Sequence, residues 1–164
     1  MEYRSDVDKM ERKELIRKVR EMSMSMWVLG PLHGVHHWDM VYGNGKLLCK
    51  KNKDADPFVV GLFAYLHDCC RHNDGNDDQH GLRASQFITM IRHTLLRDVT
   101  DEQIMLLKKA CELHTNTLRT GDPTIDTCFD ADRLDLTRCG VIPDPFRMAT
   151  RYGADIARQI QRNN

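Results

Sequence analysis

The stretch DPFVVGLFAYLHDCC, Asp56 to Cys70, decides the fold. Asp followed by Pro is a helix start: the carboxylate accepts from free N–H groups of the first turn, and proline needs no N–H at the first helical position. The residues that follow, Phe58 to Leu66, are almost wholly apolar. A helix without a polar face belongs at the centre of its domain. The reading is a central helix over FVVGLFAYLHDCC, carrying His67 and Asp68 in its last turns.

The segments on either side show helical periodicity broken by short punctuation. A first helix is expected from about Asp8 to Trp27, with Leu15, Val19, Met22 and Met26 on one stripe. MSMSMW at its end is irregular core filling rather than a cofactor-binding methionine box. A second begins near Gly34 with His37 and Val41 one turn apart, and Gly43-Asn44-Gly45 is a place for it to bend. After the central helix, Asp77 or Asp78 can cap a fourth, through His80, Ala84, Phe87, Ile88, Ile91 and Leu95. Thr100 and Gln103 have capping-box spacing for a fifth with Ile104, Leu107, Cys111, His114 and Leu118 on one face. Asp122-Pro123 repeats the Asp-Pro start for a sixth, whose stripe is Ile125, Cys128, Phe129, Asp132 and Leu136. A last helix follows Pro143 and Pro145. Nothing alternates with period two, so the fold class is all-α, one domain over 1–164 with six to seven helices and essentially no sheet.

Composition bounds the function. At 164 residues and 41% apolar content, the chain supports one domain with a real core. Its 24 Lys and Arg balance 24 Asp and Glu, so no net field collects nucleic acid or anionic lipid without specificity. The charged N-terminus lacks the apolar run of a signal peptide, and no segment reaches the roughly 18 to 20 continuous apolar residues of a membrane span. The expected compartment is the cytosol. There the six cysteines (49, 69, 70, 111, 128, 139) are expected to stay reduced and to be mostly buried small apolar residues.

Polar residues interrupt the apolar stripes on five consecutive helices: His37, His67 with Asp68, His80, His114 and Asp132. A carboxylate facing the core without partners costs several kcal/mol, so Asp68 and Asp132 need cations or donors there. A buried metal ion meets that need. Thiolates are the poorer candidates: on a helix Cys69 and Cys70 point about 100° apart, without the two-residue gap by which a Cys pair grips zinc. His67 and Asp68 are also adjacent, but their arms differ in length and can converge near a helix C-terminus, whose dipole favours a cation. Two carboxylates with imidazoles suit Mn, Fe, Ni, Co, Mg or Zn.

A His, then an adjacent His-Asp about thirty residues on, then an Asp in DADRLDL, all in a helical domain, resembles the HD superfamily of metal-dependent phosphohydrolases. The resemblance covers roughly 34–144, and HGVHHWDMVYGNG and HDCCRHNDGNDDQHG look like a small bacterial branch of it. It implies that His37, His67, Asp68 and Asp132 ligate one divalent metal. His37 is preferred to His36 and His33 on helical phase, with His33 as an outer contact to substrate. Asp132 lies within an apolar stripe, Asp130 falls among polar positions, and Asp135 is the closer competitor, otherwise a cap or a partner of Arg133 or Arg138. Members with two metals use additional histidines between the His-Asp pair and the final Asp, where His80 and His114 lie. The reading adopted for both is a proton donor to the leaving oxygen, with a second metal as the alternative. Arg71, one turn after His67, either holds phosphate through its planar fork or pairs at the surface with Asp74 or Asp77. His72 and His93 fall off the stripes and are expected in solvent.

The expected activity is hydrolysis of a phosphomonoester or phosphodiester, a nucleotide among the candidates, by a metal-activated water that Asp68 positions. The rivals are a di-iron oxygenase on the same scaffold and a non-catalytic nucleotide sensor with an intact metal site.

Overall fold

Asp56 and Asp122 accept from the backbone N–H groups two and three residues ahead of them, and each is followed by proline at the first helical position. These caps launch helix α3 (Pro57–Leu66) and helix α6 (Pro123–Arg133). Thr100 and Gln103 form a reciprocal capping box at the start of α5 (Asp101–Leu113), and Thr150 caps α7 (Arg151–Arg162) by accepting from Gly153 N–H. The remaining helices are α1 (Glu2–Met26), α2 (Val35–Lys51) and α4 (His80–Ile91), with two short 3-10 turns at Leu136–Cys139 and Pro145–Arg147. The computed structural model describes residues 2–164, with side chains from residue 6 onward, and contains no strand among them. No described helix is long and apolar enough to cross a membrane.

Every residue of α3 from Phe58 to Leu66 is buried. The helix packs against α1, α2, α5 and α6, while α4 lies along α5 and α2 along α6. Phe63, Leu62 and Leu66 are fully enclosed, and burial of such side chains contributes about 1.5–3 kcal/mol each. The core therefore surrounds the helix whose end carries His67 and Asp68.

Several expected boundaries shift. α2 runs unbroken through Gly43-Asn44-Gly45, because a Cβ on Gly45 would stand 2.5 Å from Val60 Cγ1: the glycine lets α2 approach α3. The buried face of α1 is Ile16, Val19 and Ser23, whereas Met26 is exposed. Asp77 does not cap α4; it accepts from His72 N–H and pairs with Arg83, and Gln79 takes the cap position without a side-chain bond. The helices also end early. α3 stops at Leu66, which puts Cys69 and Cys70 in a turn; α4 stops before Leu95, α5 before Leu118 and α6 before Leu136.

Candidate metal centre

Helix ends assemble the site. His67 occupies the C-cap of α3 and His114 that of α5, His80 is the first residue of α4, Asp132 lies in the last turn of α6, and His37 sits in the first turn of α2. Each imidazole has a fixed orientation. Nδ1 of His67 lies 3.1 Å from both Phe63 O and Ala64 O, Nδ1 of His80 lies 2.5 Å from Asp77 O, and Nδ1 of His114 lies 2.7 Å from Cys111 O. A carbonyl only accepts, so Nδ1 carries the proton in all three rings and Nε2 is the free lone pair. For His37 the acceptor is Asp135 Oδ2, 2.7 Å from Nδ1.

The four Nε2 atoms converge on two carboxylates. His37 Nε2 lies 3.2 Å from His67 Nε2, 3.5 Å from Asp68 Oδ2 and 3.2 Å from Asp132 Oδ1. His67 Nε2 lies 3.4 Å from Asp68 Oδ2 and 3.6 Å from Asp132 Oδ1. Metal–ligand bonds of about 2.0–2.2 Å set ligand-to-ligand edges of roughly 3.0–3.6 Å, so this donor set fits one divalent ion. The other oxygen of Asp68 faces a second group: Oδ1 lies 3.1 Å from His80 Nε2 and 3.9 Å from His114 Nε2, and those two nitrogens are 2.9 Å apart. Two lone pairs at that distance, beside a carboxylate, call for positive charge between them.

In the metal-free protein a proton on His67 supplies positive charge beside Asp68 and Asp132. Burial works to lower the His67 pKa, but the Asp68 and Asp132 carboxylates outweigh it and hold the ring up at about 10. Both carboxyls stay well below the usual range against the opposing effect of their own burial, Asp68 through His67, His80 and Arg71 and Asp132 through His37 and His67. His114 moves the other way: burial first, then the charge on His67, push it down to about 4.

No family model, curated protein or solved structure matches the chain. The chemistry of the site rests on its own geometry.

The cluster opens on a cleft of about 840 Å³ through Asp68, His114 and Asp132. Asp132 is 21% exposed on its side chain, unlike the enclosed His37, His67 and Asp68. His33 and Arg71 line the same cleft. Arg71 makes neither of the expected surface pairs; its Nε donates to Asp68 Oδ1 at 3.0 Å and its Nη1 to Gly75 O at 3.0 Å. His36, His72 and His93 are exposed. The cysteines are not splayed on a helix: Cys69 and Cys70 sulfurs lie 3.6 Å apart in the turn. Among the described residues, the groups that could hold an ion contain only His and Asp.

Three carboxylates have roles that the stripes do not reveal. Asp135 pairs with Arg138 as foreseen, at 3.6 Å, but its closer contact is the rear nitrogen of His37. Asp74 accepts from His33 N–H at 3.1 Å and stands 2.8 Å from His33 Nδ1. Asp130 is fully buried rather than among polar positions. It accepts from Ala149 N–H, Thr150 N–H and the Thr150 hydroxyl and so ties the chain before α7 to α6. Spacing offered one signal: Asp135 follows Asp132 by three residues, which brings both to one side of the helix end.

Proposed function

We propose that the chain is a metal-dependent phosphohydrolase of the HD type, acting on a phosphomonoester or phosphodiester. The observation that carries this reading is Asp68, one carboxylate with its two oxygens set against two histidine pairs, His37 with His67 and His80 with His114. His37, His67, Asp68 and Asp132 would hold one divalent ion, and Asp68, His80 and His114 could hold a second; such an ion would supply Lewis acidity and acidify water.

The chain's own groups do the rest. Arg71 fixes Asp68 through Nε and keeps Nη2 without a protein partner among the described residues, available to a phosphoryl oxygen. Both oxygens of Asp68 are engaged, which suits a bridge between donor sets better than a base. His80 and His114 fit a ligand role better than the proton-donor role expected from the sequence. Their Nδ1 protons are held by carbonyls, their Nε2 atoms face Asp68, and a ring held near 4 such as His114 has no proton to give at neutral pH. The proton donor this reading assigns is His33, which lines the cleft and is oriented by Asp74; burial lowers its pKa too, but Asp68 and the bond to Asp74 oppose that.

Elemental analysis of the purified protein, then a phosphatase screen with Mn, Mg, Ni, Co and Zn, tests the reading. At least one divalent ion per chain and turnover are expected. His67→Ala and Asp132→Ala should lose metal and activity together, whereas His33→Ala should keep the metal and lose roughly 10²-fold to 10⁴-fold in turnover on a poor leaving group. The bridging Asp68 also suits a two-iron oxygenase; two irons per chain with O2 uptake and no phosphate release would install that reading. Bound metal with no turnover on any phosphate would leave a nucleotide sensor.

A further inference from the structure

The wall of the cleft beyond the metal centre bears on the organic half of the substrate. Leu118, Val141 and Ile142 are 48%, 49% and 48% exposed, and all three line the cleft, with Leu136 and Met148 beside them. Single exposed aliphatic side chains are ordinary. Three half-open ones lining a cleft that ends in a His/Asp cluster offer an apolar shelf without a covering partner among the described residues.

The shelf is built, not loose. Leu118 comes from the loop after α5, and Val141 and Ile142 come from the segment after the 3-10 turn Leu136–Cys139. Arg133 ties that loop to the 3-10 turn Pro145–Arg147, donating to Leu118 O at 2.7 Å, Thr117 O at 2.5 Å and Arg147 O at 3.2 Å. No Phe, Tyr or Trp side chain lines the cleft among the described residues, and its two rings, the imidazoles of His33 and His114, are held by Asp74 and by the Cys111 carbonyl. Proteins that read splayed bases commonly stack them on aromatic rings or guanidinium planes. Arg133 is committed to carbonyls, which leaves Arg147 as the guanidinium on this wall without a hydrogen-bond or ion-pair partner for its side chain among the described residues.

Resting on the phosphohydrolase reading, we propose that the cleft selects phosphate esters whose organic group is an aliphatic chain. The phosphoryl end lies at the metal centre and Arg71, and the chain lies along Leu118, Val141 and Ile142.

The test uses the Mn2+-loaded protein and non-hydrolysable n-alkylphosphonates of increasing length, with binding read by calorimetry. Each methylene laid on the shelf should tighten binding roughly threefold to fourfold, until the wall is covered. Ile142→Glu and, separately, Val141→Asp, both at exposed positions, should flatten that slope. A flat slope in the parent, with methylphosphonate still bound, overturns the proposal and leaves the phosphate reading standing. Tighter binding of nucleoside 5'-monophosphates than of every alkyl member also overturns it, in favour of a base on this wall. If neither methylphosphonate nor inorganic phosphate binds, the phosphate reading fails and takes the proposal with it.

Discussion

Asp135 shows what a single residue does behind a candidate ligand. Its Oδ2 accepts from His37 Nδ1 at 2.7 Å, on the side of the ring away from Asp132. That bond sets the tautomer and leaves Nε2 bare toward the cluster; outer acceptors of this kind are typically worth 10-fold to 100-fold in metal affinity. Asp135→Ala should weaken divalent-ion binding by about that factor, measured by calorimetric titration. The fold should persist, because Arg138 retains the carbonyl oxygen of residue 135 at 2.9 Å. Unchanged affinity would mean that packing alone holds the ring. The inward-facing side chains of the cluster were legible because helical phase separates an inward His37 or Asp132 from its neighbours. Asp135 and Asp74 were not, because an acceptor for a ring nitrogen needs only reach and leaves no periodic mark. Asp130 was misread because its burial comes from Ala149 and Thr150, nearly twenty residues away in sequence.

Among the elements, the capped starts of α3, α5 and α6 were legible, whereas the starts of α1 and α4 and the ends of α3 to α6 were not. Asp56-Pro57, Asp122-Pro123 and Thr100 with Gln103 carry their caps within four residues, so the signal is local. At the C-termini the apolar period continues into the turns: Leu95 packs on the core from the turn after α4, and Leu118 and Leu136 line the cleft beyond α5 and α6. Periodicity reports which residues face inward, not where the hydrogen bonding stops. One contact between elements governs the second donor set. A Cβ on Gly81 would collide with the carbonyl oxygen of Cys111, the same oxygen that orients His114. Backbone there yields only if α4 and α5 separate, which would pull His80 from His114. Gly81→Ala should therefore destabilise the protein by about 1–3 kcal/mol in chemical denaturation. It should also lower the ion count at His80 and His114 before that at His37 and His67. Gly43→Ala is the control: a Cβ there meets nothing within 4 Å, and removal of a mid-helix glycine should stabilise by about 0.5–1 kcal/mol. Equal metal loss in both variants would disconnect the α4–α5 contact from the site.

In the whole molecule, five helices deliver four imidazoles and two carboxylates to one buried region, and the fold must supply positive charge there whether or not an ion is bound. The all-helical class and the inward set were legible because both follow from apolar stripes; that Asp68 turns one oxygen to His37 and His67 and the other to His80 and His114 was not, because it depends on side-chain rotation. Without metal, stability should depend on pH from both sides. His67 is held at about 10 against an ordinary 6.5, so its contribution is complete below 6.5 and fades as pH rises toward 10. His114, pushed down to about 4, contributes fully above 6.5 and loses that contribution as pH falls toward 4. Asp68 and Asp132, held well below 3.8, act in the same acid direction. The chelator-treated protein should therefore show its highest melting temperature near 6.5, with a decline on each side. With the metal restored, the ion takes the place of the His67 proton, so the alkaline decline between 6.5 and 10 should largely disappear, and binding near neutrality should release protons. Thermal melts across this range, with and without Mn2+, measure the first, and calorimetry in buffers of different ionisation enthalpy measures the second. Parallel alkaline declines in both forms would show that the proton on His67 and the ion do not share one place.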